Sequence, residues 1–193
     1  MGEDDRPDPT RPLRADARRN RDRLIEVAKT MFRKGGADTS LEAIARAAGV
    51  GIGTLYRHFP TRDALITEVY RTETAQLVDA AATLAAMHPP VEALRAWMRL
   101  FVDYLATKHA VAEVFTAAGG CTAELYASSG TLLLAAFDRL VEAAMASGAI
   151  RLDMPPLDLL RALTGVLQAS PGPDAPANAR RMVDLLIAGA AAR

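Results

Sequence analysis

The sequence predicts an all-α protein in which three short N-terminal helices are joined by a long helix to a C-terminal helical bundle. Apolar residues recur at spacings of three and four along the chain, the period of a helix with one buried face. Glycine and proline clusters separate these segments, as at helix ends. No segment shows the alternation of apolar and polar residues that is typical of a half-buried strand.

The chain of 193 residues has one cysteine, Cys121, so no disulfide can form within it. We interpret Cys121 as a small buried thiol without a redox role. The N-terminal segment is polar and proline-rich, and no apolar run approaches the roughly 20 residues that span a bilayer. We therefore expect a cytoplasmic protein that does not bind a membrane.

Net charge is zero, but it is divided unevenly along the chain. Residues 1–62 hold 13 Arg and Lys against 9 Asp and Glu (+4), whereas residues 63–193 hold 10 against 14 (−4). Arginines that can neutralise phosphates crowd the start of the first helix, at Arg11, Arg14, Arg18, Arg19, Arg21 and Arg23. On charge alone, a solvated helix face remains the alternative.

The first predicted domain, residues 17–62, follows a flexible tail of residues 1–16. The apolar face of its first helix consists of Leu24, Val27, Ala28, Met31 and Phe32. Gly35 and Gly36 end this helix. These positions predict a helix that packs one side against the rest of the domain.

Two short helices joined by a tight turn complete this domain. Thr39 and Glu42 fit a capping box that starts the second helix, and Gly49 can adopt the left-handed conformation that ends it. The third helix covers roughly residues 52–59, because Pro60 disfavours helical geometry at the residue before it.

A long fourth helix, capped by Thr61, runs to about Ala86 and leads into the body, residues 63–193. Glycine and proline clusters divide the rest of the body into several further helices. We predict these helices at about 91–108, 111–118, 122–147, 156–169 and 176–191.

The two short helices match the helix-turn-helix plan, in which the second helix enters the major groove of DNA. We expect Leu55 and Phe59 to face the core. The other faces of this helix carry groups that can bond phosphates or base edges, namely Thr54, Tyr56, Arg57 and His58. Alternatives remain open: Tyr56 as a packing residue, His58 as a surface histidine and Arg57 as a solvated cation.

This region resembles the DNA-binding signature of the TetR family. The matching residues are TSLEAIA at 39–45, AGV at 48–50 and GTLYRHF at 53–59, followed by Arg62. The resemblance covers residues 18–70 and includes the long linking helix. It implies a DNA-binding transcription regulator.

Carried over by position, the resemblance implies that Ser40 and Arg62 contact phosphates and that Thr54, Tyr56 and His58 contact the backbone or bases. Helix N-termini also attract anions. The complete set of DNA-binding candidates is Thr39, Ser40, Gly51, Thr54, Tyr56, Arg57, His58 and Arg62. This chain departs from the family at Gly51 and Ile52, where the family often has a hydroxyl and a polar or basic residue. The sequence therefore does not predict which bases are recognised.

The resemblance further implies a small-molecule pocket inside the body, whose occupation tilts the linking helix and re-spaces two DNA-binding heads. Such pockets are mostly apolar with a few polar groups. The candidate lining residues are Trp97, Phe101, Tyr104, Phe115, Tyr126 and Phe137, each with plain core packing as the alternative. Because central charges are scarce, we expect a small apolar effector.

A homodimer is implied as well, with the last two helices pairing with their two-fold copies. The candidate interface residues are Leu160, Leu163, Leu167, Met182, Leu185 and Leu186. A symmetric dimer predicts a near-palindromic operator in double-stranded DNA. Repression is the usual habit of the family, so we expect a repressor released by its effector.

Enzymatic function is not predicted, because no nucleophile elbow, phosphate loop or paired carboxylate motif occurs. His58, His88 and His109 are too scattered to suggest a metal site, and we expect no cofactor. The remaining alternative is a TetR-like small-molecule-binding or protein-interaction module that does not bind DNA.

Overall fold

The computed structural model describes the backbone of residues 10–117, 122–169, 172 and 174–192, and the side chains in those ranges except at 10–14, 37 and 109–129. No strand occurs in these ranges, where Ile150 and Ala191 form an isolated antiparallel bridge. The all-α prediction is confirmed. The helices are α1 (Thr10–Gly35), α2 (Leu41–Ala47), α3 (Ile52–His58), α4 (Arg62–Met87), α5 (Pro90–Ala117), α6 (Thr122–Ala146), α7 (Leu157–Ala169) and α8 (Ala175–Gly189).

Helix α1 begins earlier than the sequence indicates. The predicted tail extends to residue 16, whereas helical backbone already starts at Thr10. Pro12 does not prevent this, because the N–H groups of a first helical turn have no intrahelical partner to lose. The predicted apolar face is confirmed at Leu24, Ala28 and Phe32, which are all fully buried.

Helix α4 joins the N-terminal domain to the body. Its start is capped as predicted, since the Thr61 hydroxyl accepts a hydrogen bond of 3.0 Å from the Ala64 amide. The helix packs against α1, α5 and α6. Its buried residues are Leu65, Ile66, Val69, Tyr70, Thr74, Leu77 and Ala81.

Ion pairs attach α1 to α4. The Arg21 guanidinium lies 2.8 Å from the Glu68 carboxylate, and Lys29 pairs with Glu73 one and a half turns further along α4. Both carboxylates are largely covered, so these pairs are less screened by water than fully exposed ones. These pairs fasten α1 to the first half of α4.

Helix α5 is one continuous helix of 28 residues, whereas the sequence predicts two helices with a break between residues 108 and 111. The prediction is wrong there because Lys108, His109 and Ala110 include no glycine or proline that would remove or weaken a helical hydrogen bond. Within the body, α5 contacts α4, α6, α7 and α8, and it also touches α1 and the short turn after it.

An aromatic cluster holds the middle of the body together. The Trp97 indole N–H donates a hydrogen bond of 2.8 Å to the Leu77 carbonyl, which links α5 to α4. The Trp97 ring stacks on Phe101 with centroids 5.7 Å apart and contacts Phe137 of α6 at 5.5 Å. Burying this polar N–H costs little, because it has a partner.

Helix α8 is tied to α5 by charged groups. The Asp184 carboxylate accepts hydrogen bonds from Arg95 at 3.0 Å and from Arg99 at 2.7 Å. The bond from Arg95, followed by that from Arg99, lowers the pKa of Asp184 below its usual value.

Within the described ranges, no helix is both long and apolar enough to cross a membrane.

Candidate nucleic-acid interface and body cavity

Helices α2 and α3 are joined by the tight turn that the sequence predicts. Gly49 has a φ of +68°, the left-handed conformation that L side chains rarely adopt. The Gly49 amide donates to the Arg46 carbonyl at 3.1 Å, and the Val50 amide donates to the Ala45 carbonyl at 3.0 Å. This pair of bonds satisfies the last carbonyls of α2 and fixes the direction in which the chain enters α3.

The inner sides of α2 and α3 are anchored in the core of the N-terminal domain. Ile44 and Ala45 of α2 are buried, as are Leu55 of α3 and Phe59 just after it. The prediction that Leu55 and Phe59 face the core is confirmed. The opposite side of α3 therefore faces outward on a rigid support.

At the start of α2, Ser40 is the capping residue, not Thr39 as the predicted capping box requires. The Ser40 hydroxyl accepts a hydrogen bond of 3.1 Å from the Ala43 amide. Thr39 is only 7% exposed, and its hydroxyl donates to the Met31 carbonyl at 3.1 Å. Thr39 thus ties α1 to α2, and its side chain does not reach the outer surface where we placed it.

The outer face of α3 presents the predicted group of polar side chains. Tyr56 is 45% exposed, so part of its side chain is open to solvent, and its contact with DNA stays a prediction. Arg57 is exposed, and Thr54 and His58 are half-buried. Gly51 precedes the helix, and its carbonyl accepts a hydrogen bond of 2.9 Å from the Thr54 amide. It has no side chain that could cap the helix.

Arg62 lies between helices in this structure. Its guanidinium donates to the Thr39 carbonyl at 2.5 Å and lies 5.5 Å from the centre of the Phe32 ring. It therefore braces the start of α4 against α1 and the start of α2. A phosphate contact from Arg62 stays a prediction and requires another of its five N–H groups.

The predicted basic cluster at the start of α1 divides in two. Arg21 lies over the Phe59 ring at 5.5 Å, and Arg23 donates to the Ala48 carbonyl at 3.4 Å, so both support the α2–α3 unit. Arg18 and Arg19 are exposed, and Arg19 pairs with Asp16. The side chains of Arg11 and Arg14 lie outside the described residues.

The body contains a cavity of about 390 Å³ between α4, α5, α6 and α7. Ligand cavities in proteins range from roughly 300 to 1,000 Å³, so this one admits a small molecule. Its lining residues are Tyr70, Phe101, Tyr104, Leu105, Lys108, Gly130, Leu133, Leu134, Leu157, Leu160, Arg161, Thr164, Gly165 and Gln168.

Two of the six predicted pocket residues, Phe101 and Tyr104, line this cavity. Trp97 and Phe137 do not line it; both are fully buried in the aromatic cluster behind Phe101, which is the core-packing alternative. The spacing of apolar residues along a helix does not distinguish a side chain that lines a cavity from one that packs in the core. The side chains of Phe115 and Tyr126 lie outside the described residues.

Polar groups from α4, α5 and α7 line part of the cavity. The Tyr104 hydroxyl donates to the Tyr70 hydroxyl at 2.9 Å and lies 3.4 Å from the Thr74 hydroxyl. Lys108, one turn beyond Tyr104 on α5, is half-buried, and burial lowers the pKa of its ammonium group. In the described part of the chain, no three His, Cys, Asp or Glu side chains are placed to hold a metal ion.

Two protein-family models match the chain. The model of the bacterial regulatory proteins of the tetR family matches residues 24–69, which contain α2, the turn and α3. The model of the C-terminal domain of SbtR-like transcriptional regulators matches residues 89–192, more than half of the chain. The chain belongs to the TetR family of transcriptional regulators.

Solved TetR structures share the whole architecture. A TetR transcriptional regulator from Streptomyces coelicolor is 44% identical, with 89% of this chain and 98% of that chain covered and a TM-score of 0.78. A TetR protein from Mycobacterium vanbaalenii is 34% identical over 94% of this chain and 100% of that chain, with a TM-score of 0.77. These values extend the likeness through the body.

Among curated relatives, the likeness is more local. A helix-turn-helix-type transcriptional regulator from Staphylococcus aureus is 43% identical over 54 residues, which are 28% of this chain. That match spans only 29% of the length of the relative. Membership of the TetR family implies DNA binding and homodimerisation.

The predicted dimer residues of this TetR protein fall into two groups. Leu160 and Leu163 are buried within the chain itself, so they are not available to a partner, and that part of the prediction is corrected. Leu185 is 65% exposed. Leu167, Met182 and Leu186 are half-buried at the surface of α7 and α8.

Sequence reasoning missed several residues of the TetR body cavity. Lys108 follows Tyr104 by four positions, and this spacing places both on one side of α5, so the signal for Lys108 was available. Tyr70 and Thr164 had no such signal. They reach the cavity only because α4 and α7 pack beside α5.

Proposed function

We propose that this TetR protein is a ligand-responsive repressor that binds a palindromic operator and is released from it by a small molecule. The observation that carries the proposal is the outward face of α3, where Tyr56 is 45% exposed while Leu55 and Phe59 anchor the helix from behind. The DNA major groove, about 12 Å wide, admits one helix in this way. Its target lies on the chromosome, so we place the protein in the cytoplasm.

The polar side chains divide into two roles in this proposal. Tyr56 and Arg57 are exposed on α3 and reach base edges or phosphates. Ser40 contacts a phosphate: its hydroxyl oxygen accepts from the Ala43 amide, and its own proton is donated outward. Thr54 and His58 border the same surface and add backbone contacts.

Two copies of the chain form the functional unit in this proposal. Leu185 of α8 is a large apolar side chain with 65% exposure, which favours burial against a partner. Leu167, Met182 and Leu186 extend this surface along α7 and α8. A two-fold pair of α3 helices then reads two half-sites of inverted sequence, about one helical turn of DNA or a multiple of it apart.

The effector acts through α4 in this proposal. Tyr70 of α4 lines the cavity, and α4 continues to the N-terminal domain, which it holds through the pairs Arg21–Glu68 and Lys29–Glu73. A molecule that fits the cavity better in one orientation of α4 than in the other shifts the population toward that orientation. Because α1 moves with α4, the separation of the two α3 helices changes.

The test is selection of genomic fragments by the purified protein at near-physiological salt, followed by sequencing. A shared palindrome in the bound fragments supports the proposal. Binding that depends on salt but not on sequence, or no binding, contradicts it and favours a TetR-like module that binds small molecules or proteins instead of DNA. The selected operator then serves as the probe for release by candidate effectors.

A further inference from the structure

We infer that Ile52 is a specificity-determining residue, which recognises a thymine in each half-site of the operator through the C5 methyl group of that base. This inference rests on the proposed function and deepens it, because it names one chemical feature of the DNA that α3 binds. Ile52 is not among the DNA-binding candidates predicted from the sequence. Its position and its immediate neighbours in the structure support this role.

Ile52 lies on the outward face of α3. It is the first residue of this helix, and the N-terminal residues of a recognition helix are those that contact base edges in the major groove. Its side chain is 38% exposed, although isoleucine is one of the residues most often buried in proteins. Tyr56 follows one turn later and is 45% exposed, so both side chains lie on the same face. The proposed function turns this face toward DNA.

Two glycines flank Ile52 and leave its side chain uncovered along the chain. Gly51 and Gly53 are both exposed, and a Cβ added at either position would meet no atom within 4 Å. Packing inside the chain therefore does not require glycine at these positions, and a glycine within a helix such as Gly53 weakens that helix relative to alanine. Because neither neighbour has a side chain, a base edge can come close to Ile52.

The identity of the base follows from the chemistry of the isoleucine side chain. This side chain has no hydrogen-bond donor or acceptor, so a polar base edge pressed against it would lose its bonds to water without replacement. In the major groove, adenine, guanine and cytosine present donors and acceptors, whereas thymine also presents its C5 methyl group. Contact between this methyl group and Ile52 removes apolar surface of both partners from water. Ile52 therefore favours thymine over the other three bases.

The first measurement compares the sequences that two forms of the full-length protein select from a library of random DNA duplexes. The wild type should select a palindrome with a fixed thymine at one position of each half-site. Ile52→Ala should lose the preference at that position and keep the rest of the palindrome. Leu100→Ala, at an aliphatic side chain of α5 with 41% exposure, is the matched control and should select the same sequence as the wild type. Thermal melts check that each variant folds.

The second measurement isolates the methyl group. In the duplex selected by the wild type, deoxyuridine replaces the fixed thymine of each half-site, which removes the C5 methyl group and keeps the base pair. The affinity of the wild type should fall about fourfold per half-site, or about 16-fold for both replacements. The same replacements should change the affinity of Ile52→Ala less than about twofold. Ile52→Val, which keeps a branched apolar side chain, should retain most of the wild-type response.

Anisotropy of labelled duplexes at fixed salt gives these affinities. The inference is overturned if the wild type binds the thymine and uracil duplexes equally, if the replacement weakens the wild type and Ile52→Ala by the same factor, or if Ile52→Ala still selects the fixed thymine. A shared palindrome found together with any of these results continues to support the proposed function. A wild type that selects no shared sequence contradicts the proposed function and, with it, the role of Ile52.

Discussion

The phenol hydroxyls of Tyr70 and Tyr104 lie 2.9 Å apart in a hydrogen bond between α4 and α5. Both rings are buried, and both line the cavity of the body. Tyr70 belongs to the helix that continues into the DNA-binding domain, while Tyr104 belongs to the helix that carries Lys108. This bond therefore joins two walls of the cavity, one of which belongs to the helix that leads to the DNA-binding domain.

Removing this link should weaken the fold slightly and alter the ligand response. Tyr104→Phe deletes a buried hydrogen bond worth about 1 kcal/mol, which lowers Tm by ~2–4 °C in a chain of this size. The effector should still bind, but the fraction of operator released at saturation should change. Thermal melts and anisotropy of labelled operator measure the two effects.

Tyr56→Phe is the matched control, because it deletes a hydroxyl from an exposed tyrosine. Its Tm should equal that of the wild type. In a double-mutant cycle, Tyr70→Phe combined with Tyr104→Phe should cost less than the sum of the single changes. Full additivity would show that the two hydroxyls do not interact.

Local signals explain why the α2–α3 unit was predictable. Gly49 and Pro60 act on their immediate neighbours, so the ends of both short helices can be read without knowledge of the fold. The mistaken cap at Thr39 is of a different kind. Thr39 and Ser40 are both good capping residues, and the choice between them depends on the Met31 carbonyl of α1, which draws the Thr39 hydroxyl away.

The cavity depends on contacts that the sequence does not reveal. Trp97 and Phe101 lie one turn apart on the same apolar stripe, yet only Phe101 borders the open space. Leu160 and Leu163 have the spacing of an interface stripe but fill the core of their own chain. In each case the outcome depends on how far neighbouring helices stand apart, which is set by packing over the whole body.

Tyr56→Ala should weaken operator binding without a loss of stability. The side chain is exposed on α3, so its removal leaves the core intact, and losing one base or phosphate contact costs about 1–3 kcal/mol of binding free energy. We expect the affinity for the operator to fall about tenfold or more, with Tm unchanged. Anisotropy titrations at fixed salt measure the affinity.

His88→Ala is the control for this change. His88 is exposed at the far end of α4, whose 26 residues span about 39 Å, and its loss should leave DNA binding unaffected. Equal affinities for the wild type and Tyr56→Ala would remove Tyr56 from the DNA-binding surface.

Gly49→Ala should destabilise the DNA-binding domain. At a φ of +68° a side chain carries a strain of roughly 1–2 kcal/mol, although a Cβ at this position would meet no atom within 4 Å. We expect a decrease in Tm of about 2–8 °C. Gly165→Ala is the opposite case, because Gly165 lies inside α7 with ordinary helical backbone and open space around it. Alanine at Gly165 should raise Tm. A change in Tm of the same direction in both variants would contradict this interpretation of Gly49.

Asp184→Asn should lower stability in a manner that depends on pH. The bonds from Arg95 and Arg99 hold the pKa of Asp184 below the value of 3.8 that the unfolded chain has. Their contribution is thus complete above that pH and is lost as the pH falls through the lower folded-state value. Because the site is substantially exposed, we expect a loss of only ~0.2–1 kcal/mol at pH 7.

Thermal melts of the wild type and Asp184→Asn between pH 7 and pH 2 check this. The difference in Tm should shrink toward the acidic end. Asp153→Asn provides the control, since Asp153 pairs with Arg151, which lies only two residues away in the same loop. A difference in Tm between the wild type and Asp184→Asn that stays constant with pH would mean that the carboxylate charge has no part in it.

Leu185→Arg should separate the dimer and, through it, weaken operator binding. A charged side chain at the centre of an apolar interface must be desolvated without a partner, which costs several kcal/mol and outweighs the gain from the surrounding contacts. We expect sedimentation to give the mass of a single chain and the apparent affinity for a palindrome to fall at least tenfold. The monomer itself should stay folded, because Leu185 is 65% exposed within the single chain.

Met87→Arg places the same charge at another exposed apolar residue, at the end of α4, and should remain dimeric. A Leu185→Arg protein that sediments as a dimer would move the interface away from α8.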